Sequence, residues 1–381
     1  MKLPIVIIGT GLAGYTLARE LRRIDQKTPL TLITADDGHY YPKPQLSTAL
    51  TQGKTSDSLI TADAEAMAMQ LHATIVTKCP IETIDLASKA ILIREELLHF
   101  QSLVLACGAE VIKPQLKGDS IRDVLSINHI YHYATFQEFI KNKKTIAILG
   151  AGLIGSEFAN DLSNAGYKVH IIAPAKSPLD LLVPEDIGKI LQTALEQNGV
   201  TFHLNCVANR IDKISHGYNL ELSNGNELEV EFVLSAIGLK PHIHIAEKAH
   251  IKTNRGILVN RYLETSSEHV YALGDCAEVE GHVLPYIAPL LNCAKALAKT
   301  LSGEKTPVLY PAMPVLVKTP AHPIAVCPPP KDAVGNWVIE TKGTDTYALF
   351  YDQKQQLTGF VLTNGAVKER ASYAKQLPSL I

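Results

Sequence analysis

Gly9-Thr10-Gly11-Leu12-Ala13-Gly14 and Gly150-Ala151-Gly152-Leu153-Ile154-Gly155 share one spacing, Gly-x-Gly-x-x-Gly. The chemistry open to that spacing is the binding of a pyrophosphate. The first glycine permits a tight turn, the second lets backbone approach the phosphates, and the third lets a helix pack on the preceding strand. The first amides of that helix have no partner within it and point at the phosphate oxygens. A third feature, Gly274-Asp275 after Tyr271-Ala272-Leu273, sets a carboxylate at the exit of a strand, where it can accept from a ribitol hydroxyl. One such Gly motif says only that a nucleotide binds. Two of them with a late Gly-Asp describe a chain that holds a flavin dinucleotide and a nicotinamide dinucleotide face to face.

These residues need elements to position them. Ile5-Val6-Ile7-Ile8 is a β-branched run that fits a parallel strand covered on both faces, and Leu12 to Arg23 follows as a helix. Leu30-Thr31-Leu32-Ile33-Thr34 is the next strand, and it leads into Ala35-Asp36-Asp37. Asp36 lies about 20 residues past the last glycine, where a carboxylate binds the adenosine ribose hydroxyls. Pro42 and Pro44 exclude a central strand from Tyr40–Thr48 and leave an ordered loop or a helix entry. Lys43, between the prolines, is either a cation that polarises the flavin ring or a solvated surface lysine.

The second copy repeats the arrangement with Thr145–Leu149 as strand and Ser156-Glu157-Phe158-Ala159 opening the helix. The following strand, Val169-His170-Ile171-Ile172, ends in Ala173-Pro174-Ala175-Lys176-Ser177, without the acid of an NAD ribose site. An NADP site wants an arginine for the 2′-phosphate, and none occurs between Arg122 and Arg210. NADH is therefore expected ahead of NADPH. Glu157, placed by this reading in the first helical turn, either complements the helix dipole or sets a carboxylate near the nicotinamide amide or the flavin edge.

Ser102–Gly108 and Val233–Gly238 each end a nucleotide half with a strand and a glycine, Gly108 and Gly238. That pattern suggests duplication, each end bringing backbone to a cofactor or marking a crossover. Leu290 to Leu301 is expected as a helix capped by Gly303, with its N-terminus toward the flavin pyrimidine. From about Tyr310 prolines accumulate and three strand-like runs follow at Trp337–Glu340, Tyr347–Tyr351 and Leu357–Leu362. Lys318 closes the apolar run Val315-Leu316-Val317 and is either a solvated edge residue or a flavin-facing cation. The fold expected is α/β, with two Rossmann-like domains and a small C-terminal α+β domain. The divisions are 1–110 with 246–308 for FAD, 111–245 for NAD(H), and 309–381 for the last domain.

Composition sets the limits. With 381 residues, 46% hydrophobic and 19% charged, the chain matches a globular protein of two or three domains. A net charge of −2 gives no global reason to expect nucleic acid or an anionic membrane. No apolar run approaches the ~18 residues of a membrane span, and the N-terminus lacks signal-peptide order, which points to the cytoplasm. The six cysteines lie too far apart in sequence for a CxxC motif, and each is expected as a small buried residue. His242/His244 and His129/His132 are the closest histidine groupings; neither has ligand spacing with a carboxylate, so no metal site is expected.

Taken together, these residues resemble the two-dinucleotide flavoprotein reductases. The cysteine pair of the disulfide-reducing branch is absent, because its helix holds only Gln45-Leu46-Ser47-Thr48-Ala49-Leu50. Within that group the chain resembles more closely the rubredoxin–NAD(+) reductases of alkane-oxidising bacteria. The residues that carry this are Leu32–Gly38, Lys43-Pro44 with Leu46–Thr48, Gly150–Glu157 continuing to Ser163, Tyr271–Val279, and Val317-Lys318-Thr319-Pro320-Ala321. The resemblance implies non-covalent FAD, NADH as hydride donor, and an acidic rubredoxin as acceptor, serving alkane hydroxylation or oxygen and peroxide detoxification. It also implies Asp36 on the adenosine ribose, Asp275 on the ribitol, and Lys43 and Lys318 near the isoalloxazine. The rival readings are a reductase of a [2Fe–2S] ferredoxin, an FAD- and NADH-holding redox sensor, and an NADH oxidase.

Overall fold

The computed structural model describes residues 2–381. The chain opens with β1 (Ile5–Ile8), α1 (Leu12–Ile24), β2 (Leu30–Ile33), β3 (Thr74–Val76) and β4 (Ser102–Leu105). The crossover strand β5 (Ala109–Val111) follows, then α2 (Ile130–Ile140), β6 (Thr145–Leu149), α3 (Leu153–Asn164), β7 (Lys168–Ile172), β8 (Val200–His203) and β9 (Phe232–Ser235). A second crossover strand, β10 (Leu239–Pro241), precedes β11 (Val270–Ala272) and α4 (Ile287–Leu301).

The first sheet runs β11-β4-β1-β2-β3, all parallel. Every residue of β1, β2 and β4 is buried, which is what a parallel strand covered on both faces demands. Full burial of one such Ile or Leu side chain contributes roughly 1.5–3 kcal/mol. β11 reaches this sheet from far downstream, pairing Val270 with Leu103 and Ala272 with Leu105. The second sheet, β8-β7-β6-β9, is also parallel. Between the two, β5 and β10 pair antiparallel, and Gly108 and Gly238 sit where the chain turns into them. The His242 amide donates to the Gly108 carbonyl and the Ile112 amide to that of Gly238.

The C-terminal part is a five-stranded antiparallel sheet, β12 (Val315–Val317), β13 (Ile324–Cys327), β14 (Gly335–Lys342), β15 (Asp345–Asp352) and β16 (Leu357–Thr363), in the order β12-β13-β16-β15-β14, with short helical turns after it. The strand-like runs at the end of the sequence correspond to β14, β15 and β16. β13 carries no sequence signal of its own, being a short apolar run among prolines. α4 begins at Ile287, three residues ahead of the expected Leu290, because Pro289 is tolerated in a first turn, where amides lack partners anyway. No helix among the described residues is long and apolar enough to cross a membrane.

Candidate active site

The six motif glycines do two different jobs. A Cβ on Gly9 would meet the Ala106 carbonyl oxygen at 2.3 Å, and one on Gly14 would meet the Gly9 oxygen at 1.9 Å. Gly150 and Gly155 repeat this against Ala236 at 2.6 Å and Gly150 at 2.1 Å. These four are glycine because the protein packs against itself there. Gly9 and Gly150 also hold φ of +116° and +107°, which other residues rarely adopt. Gly11 and Gly152 differ: their φ values are −70° and −73°, and a Cβ on either meets nothing within 4 Å. The protein's own packing does not require glycine at these two positions; a ligand brought against the backbone does.

The helix starts agree. α1 and α3 have Gly11 and Gly152 as N-caps, and neither has a side chain accepting from its first amides. The short helices Ser56–Leu59 and Ala64–Leu71 are capped by Thr55 and Asp63. Uncapped amides beside an open glycine form an anion site waiting for an acceptor. Leu12 and Ala13, and likewise Leu153 and Ile154, are the first-turn residues that carry those amides. Ala13 also packs on Gly274, where an added Cβ would lie 2.8 Å from it. These features fit two dinucleotides.

Asp36, just past β2, accepts from Thr34 Oγ1 at 2.6 Å and from the Gly38 amide at 2.9 Å through Oδ1. Its Oδ2 faces His129 Nε2 at 3.0 Å. Burial raises the Asp36 pKa, but the bonds from His129, Thr34 and Gly38 outweigh it and hold the carboxyl well below the usual range. Asp275, at the exit of β11, is half-buried and faces Lys43. Burial pushes the Asp275 carboxyl up and Lys43 pulls it back; burial pushes the Lys43 ammonium down and Asp275 lifts it. Lys43 is thus not the solvated surface lysine that its neighbouring prolines allowed. It opens the 3-10 helix Lys43–Thr48.

Glu157 departs furthest from expectation. α3 begins at Leu153 and has no acid in its first turn, so Glu157 lies in the second turn and does not complement the dipole. It is 1% exposed. Its Oε1 accepts the Lys318 amide at 3.0 Å, and its Oε2 meets Ser47 Oγ at 2.5 Å and Lys318 Nζ at 3.0 Å. Lys318 Nζ also donates to Ser47 Oγ at 3.1 Å and to the Pro44 carbonyl. Its three N–H groups are therefore engaged, and it is not the solvated edge residue its strand end suggested. One turn on, Asn160 Oδ1 accepts the Ala321 amide at 3.0 Å, and Asp161 accepts the amides of Leu50 at 2.8 Å and Thr51 at 3.1 Å. A single buried polar face of α3 thus fastens the 3-10 helix, the loop after it and the start of the C-terminal sheet.

Residues 3–296 match the family model described as pyridine nucleotide-disulphide oxidoreductase. The chain belongs to this family. Residues 307–377 match a second model, the rubredoxin binding C-terminal domain. Among curated relatives, the rubredoxin-NAD(+) reductase of Alcanivorax borkumensis is 46% identical over 99% of both chains. The nitric oxide reductase FlRd-NAD(+) reductase of Aliivibrio fischeri is 37% identical over 99% of both chains. Among solved structures, the ferredoxin reductase for the CYP199A2 system of Rhodopseudomonas palustris superposes with a TM-score of 0.87. It is 23% identical and covers 95% of this chain and 91% of that one, a likeness of fold alone.

This member of the disulphide oxidoreductase family has six free cysteines among the described residues and no disulfide. The fold nevertheless makes neighbours of two thiols that the sequence keeps far apart. Cys276 Sγ lies 3.5 Å from the Leu105 carbonyl oxygen and 3.4 Å from that of Leu273, and its contact with Cys107, together with burial, pushes the Cys107 thiol up. Sequence reasoning missed His129, Ser47, Asn160 and Asp161 as working parts. Only His129 carried a signal, a histidine beside a helix start, and nothing local pointed it at Asp36.

Proposed function

We propose that this oxidoreductase passes electrons from NADH through FAD to a rubredoxin. The observation that carries the reading is the placement of the C-terminal sheet. Lys318 and Ala321, where that module begins, bond to Glu157 and Asn160 on α3 and to Pro44 and Ser47 beside Lys43. The rubredoxin-binding module is thus fastened to the helix that follows the second Gly turn and to the 3-10 helix that carries Lys43. Bound FAD supplies hydride uptake in pairs of electrons and release one at a time to an iron centre.

The chain's own residues supply the rest. Gly11 and the first amides of α1 hold the flavin pyrophosphate, and Gly152 with those of α3 hold that of NADH. Asp36 takes the adenosine ribose and Asp275 the ribitol. Gly108 and Gly238 bring the two crossover strands past the cofactors. Lys43 and Lys318 place positive charge by the ring, where negative charge develops on reduction. Lys318 acts through its field, since its donors are engaged. Glu157 orients Lys318 and Ser47. No side chain is needed as nucleophile, and alignment is the main contribution. Residues 1–110 with 246–308 form the FAD domain, 111–245 the NADH domain and 309–381 the acceptor domain. The compartment is the cytoplasm.

The test is stopped-flow reduction of the yellow protein by NADH, then mixing with rubredoxin or with a [2Fe–2S] ferredoxin. Fast bleaching and fast reoxidation by rubredoxin are expected. Fast bleaching with no reoxidation by rubredoxin overturns the acceptor assignment.

A further inference from the structure

Asp36 is held by a residue from the far side of the inter-domain connection. His129 stands 93 positions later in sequence, at the N-cap of α2, and two contacts fix its ring. Nδ1 accepts the Tyr131 amide at 3.3 Å, so Nδ1 carries no proton. The proton is therefore on Nε2, which donates to Asp36 Oδ2 at 3.0 Å. The ring stacks on Tyr131 with centroids 5.1 Å apart and planes at 28°. Flanking residues stitch the same segment to the first half: Asn128 Nδ2 donates to the Ala109 carbonyl at 2.8 Å and the Ile130 amide to Tyr41 Oη at 3.2 Å.

The two carboxylate oxygens of Asp36 are unequally served. Oδ1 takes Thr34 and Gly38, with Thr10 Oγ1 at 3.5 Å. Oδ2 takes His129 alone. The Asp36 side chain is 38% exposed and that of His129 27%, so Oδ2 lies at an accessible rim with a lone pair free. A ribose diol binds well only to a carboxylate whose rotation has already been stopped, and the imidazole stops it.

We infer that His129 is a positioning residue for the adenosine end of FAD: through Nε2–H it fixes Asp36 Oδ2 to receive a ribose hydroxyl. This rests on the flavoprotein reading above. It makes no demand on which carrier accepts electrons.

Two conservative variants separate this role from helix capping. In His129→Asn the amide oxygen replaces Nδ1 and keeps the cap, but the side chain is too short to reach Asp36. In His129→Gln the amide nitrogen replaces Nε2 and reaches Asp36, but the cap is lost. Apoprotein is titrated with FAD, and separately with FMN, which has no adenosine, following quenching of flavin fluorescence. A hydrogen bond to a charged group supports roughly a tenfold to hundredfold weaker FAD binding in His129→Asn. His129→Gln is expected within about threefold of the wild type. FMN affinity is expected to be the same in all three proteins. Wild-type FAD affinity in His129→Asn, or an equal loss for FMN, overturns the proposal. If His129→Asn does not fold, His129→Gln decides: retained FAD affinity supports the role, and a loss confined to the uncapped variant refutes it. Absence of flavin binding in the wild type would sink the flavoprotein reading itself, an outcome distinct from either.

Discussion

Glu157→Gln tests the clasp between α3 and the C-terminal sheet. The wild-type carboxylate serves the Lys318 amide, Lys318 Nζ and Ser47 Oγ at 3.0, 3.0 and 2.5 Å while 1% exposed. Glutamine keeps one acceptor oxygen, and at the Oε2 position that oxygen still serves Ser47 Oγ and Lys318 Nζ. The Oε1 position becomes an N–H facing the Lys318 amide N–H, two donors with no acceptor between them. One charge-assisted bond is lost, contributing roughly 1.5–3 kcal/mol when intact, and the ammonium loses its counter-charge. The Lys318 side chain is 37% exposed, so water screens part of the ion pair and the lost counter-charge adds at most about 1 kcal/mol. The expected loss is about 2–4 kcal/mol. The decisive comparison is with Glu157→Gln/Lys318→Met. Removing both partners leaves no orphaned ammonium, so the double variant should be less destabilised than the single by about 1 kcal/mol or more. The assay is thermal unfolding of the apoproteins, so that cofactor affinity does not contribute, reported as melting shifts because several domains are present. A Glu157→Gln melting temperature equal to wild type, or a double variant worse than the single, would refute the clasp.

The glycines give a second contrast: Gly11→Ala and Gly152→Ala should melt as the wild-type apoprotein does, yet lose FAD and NADH affinity respectively. Gly14→Ala should unfold the first domain, and a stable, flavin-free Gly14→Ala would contradict that division. Burial lowers the pKa of His132, His170, His203 and His322 below 6.5. The folded chain then refuses protons that the unfolded chain accepts, so stability should fall as pH drops through and below about 6.5, with no contribution above it. His322→Asn should flatten that slope in melting curves between about pH 5 and about pH 7.5; an unchanged slope would show that His322 titrates alike in both states. If an acidic rubredoxin docks beside Lys43 and Lys318, its reduction rate should fall as ionic strength rises past about 0.1 M, and a flat salt profile would sink that docking mode.

The nucleotide turns were legible in the sequence because they are local. Strand, glycines, helix and next strand follow within a few tens of residues, and Gly14 and Gly155 answer to Gly9 and Gly150 a few positions away, although the backbone that crowds Gly9 and Gly150 themselves comes from the distant Ala106 and Ala236. The apolar runs of β1, β2 and β4, broken only by Thr31 and Ser102, likewise announce a parallel sheet, since a strand covered on both faces is apolar almost throughout. Glu157 shows where this stops. Its helix was legible, but its place in the second turn and its burial were not, because both depend on where α3 starts and what lies over it. Lys43 and Lys318 are ordinary surface lysines by their neighbours in sequence; Asp275 and Glu157, supplied by distant segments, make them something else.

Composition, periodicity and the Gly-x-Gly-x-x-Gly spacing by themselves determined that this chain holds two dinucleotide turns and a distinct C-terminal part. The tertiary structure alone decided the pairs Glu157–Lys318, Asp36–His129, Asp161–Thr51 and Cys107–Cys276. Such partners are chosen by how sheets and helices stack, and no spacing rule links them. Hydrogen bonds and contact ion pairs form at about 3 Å between side chains, whatever their separation along the chain.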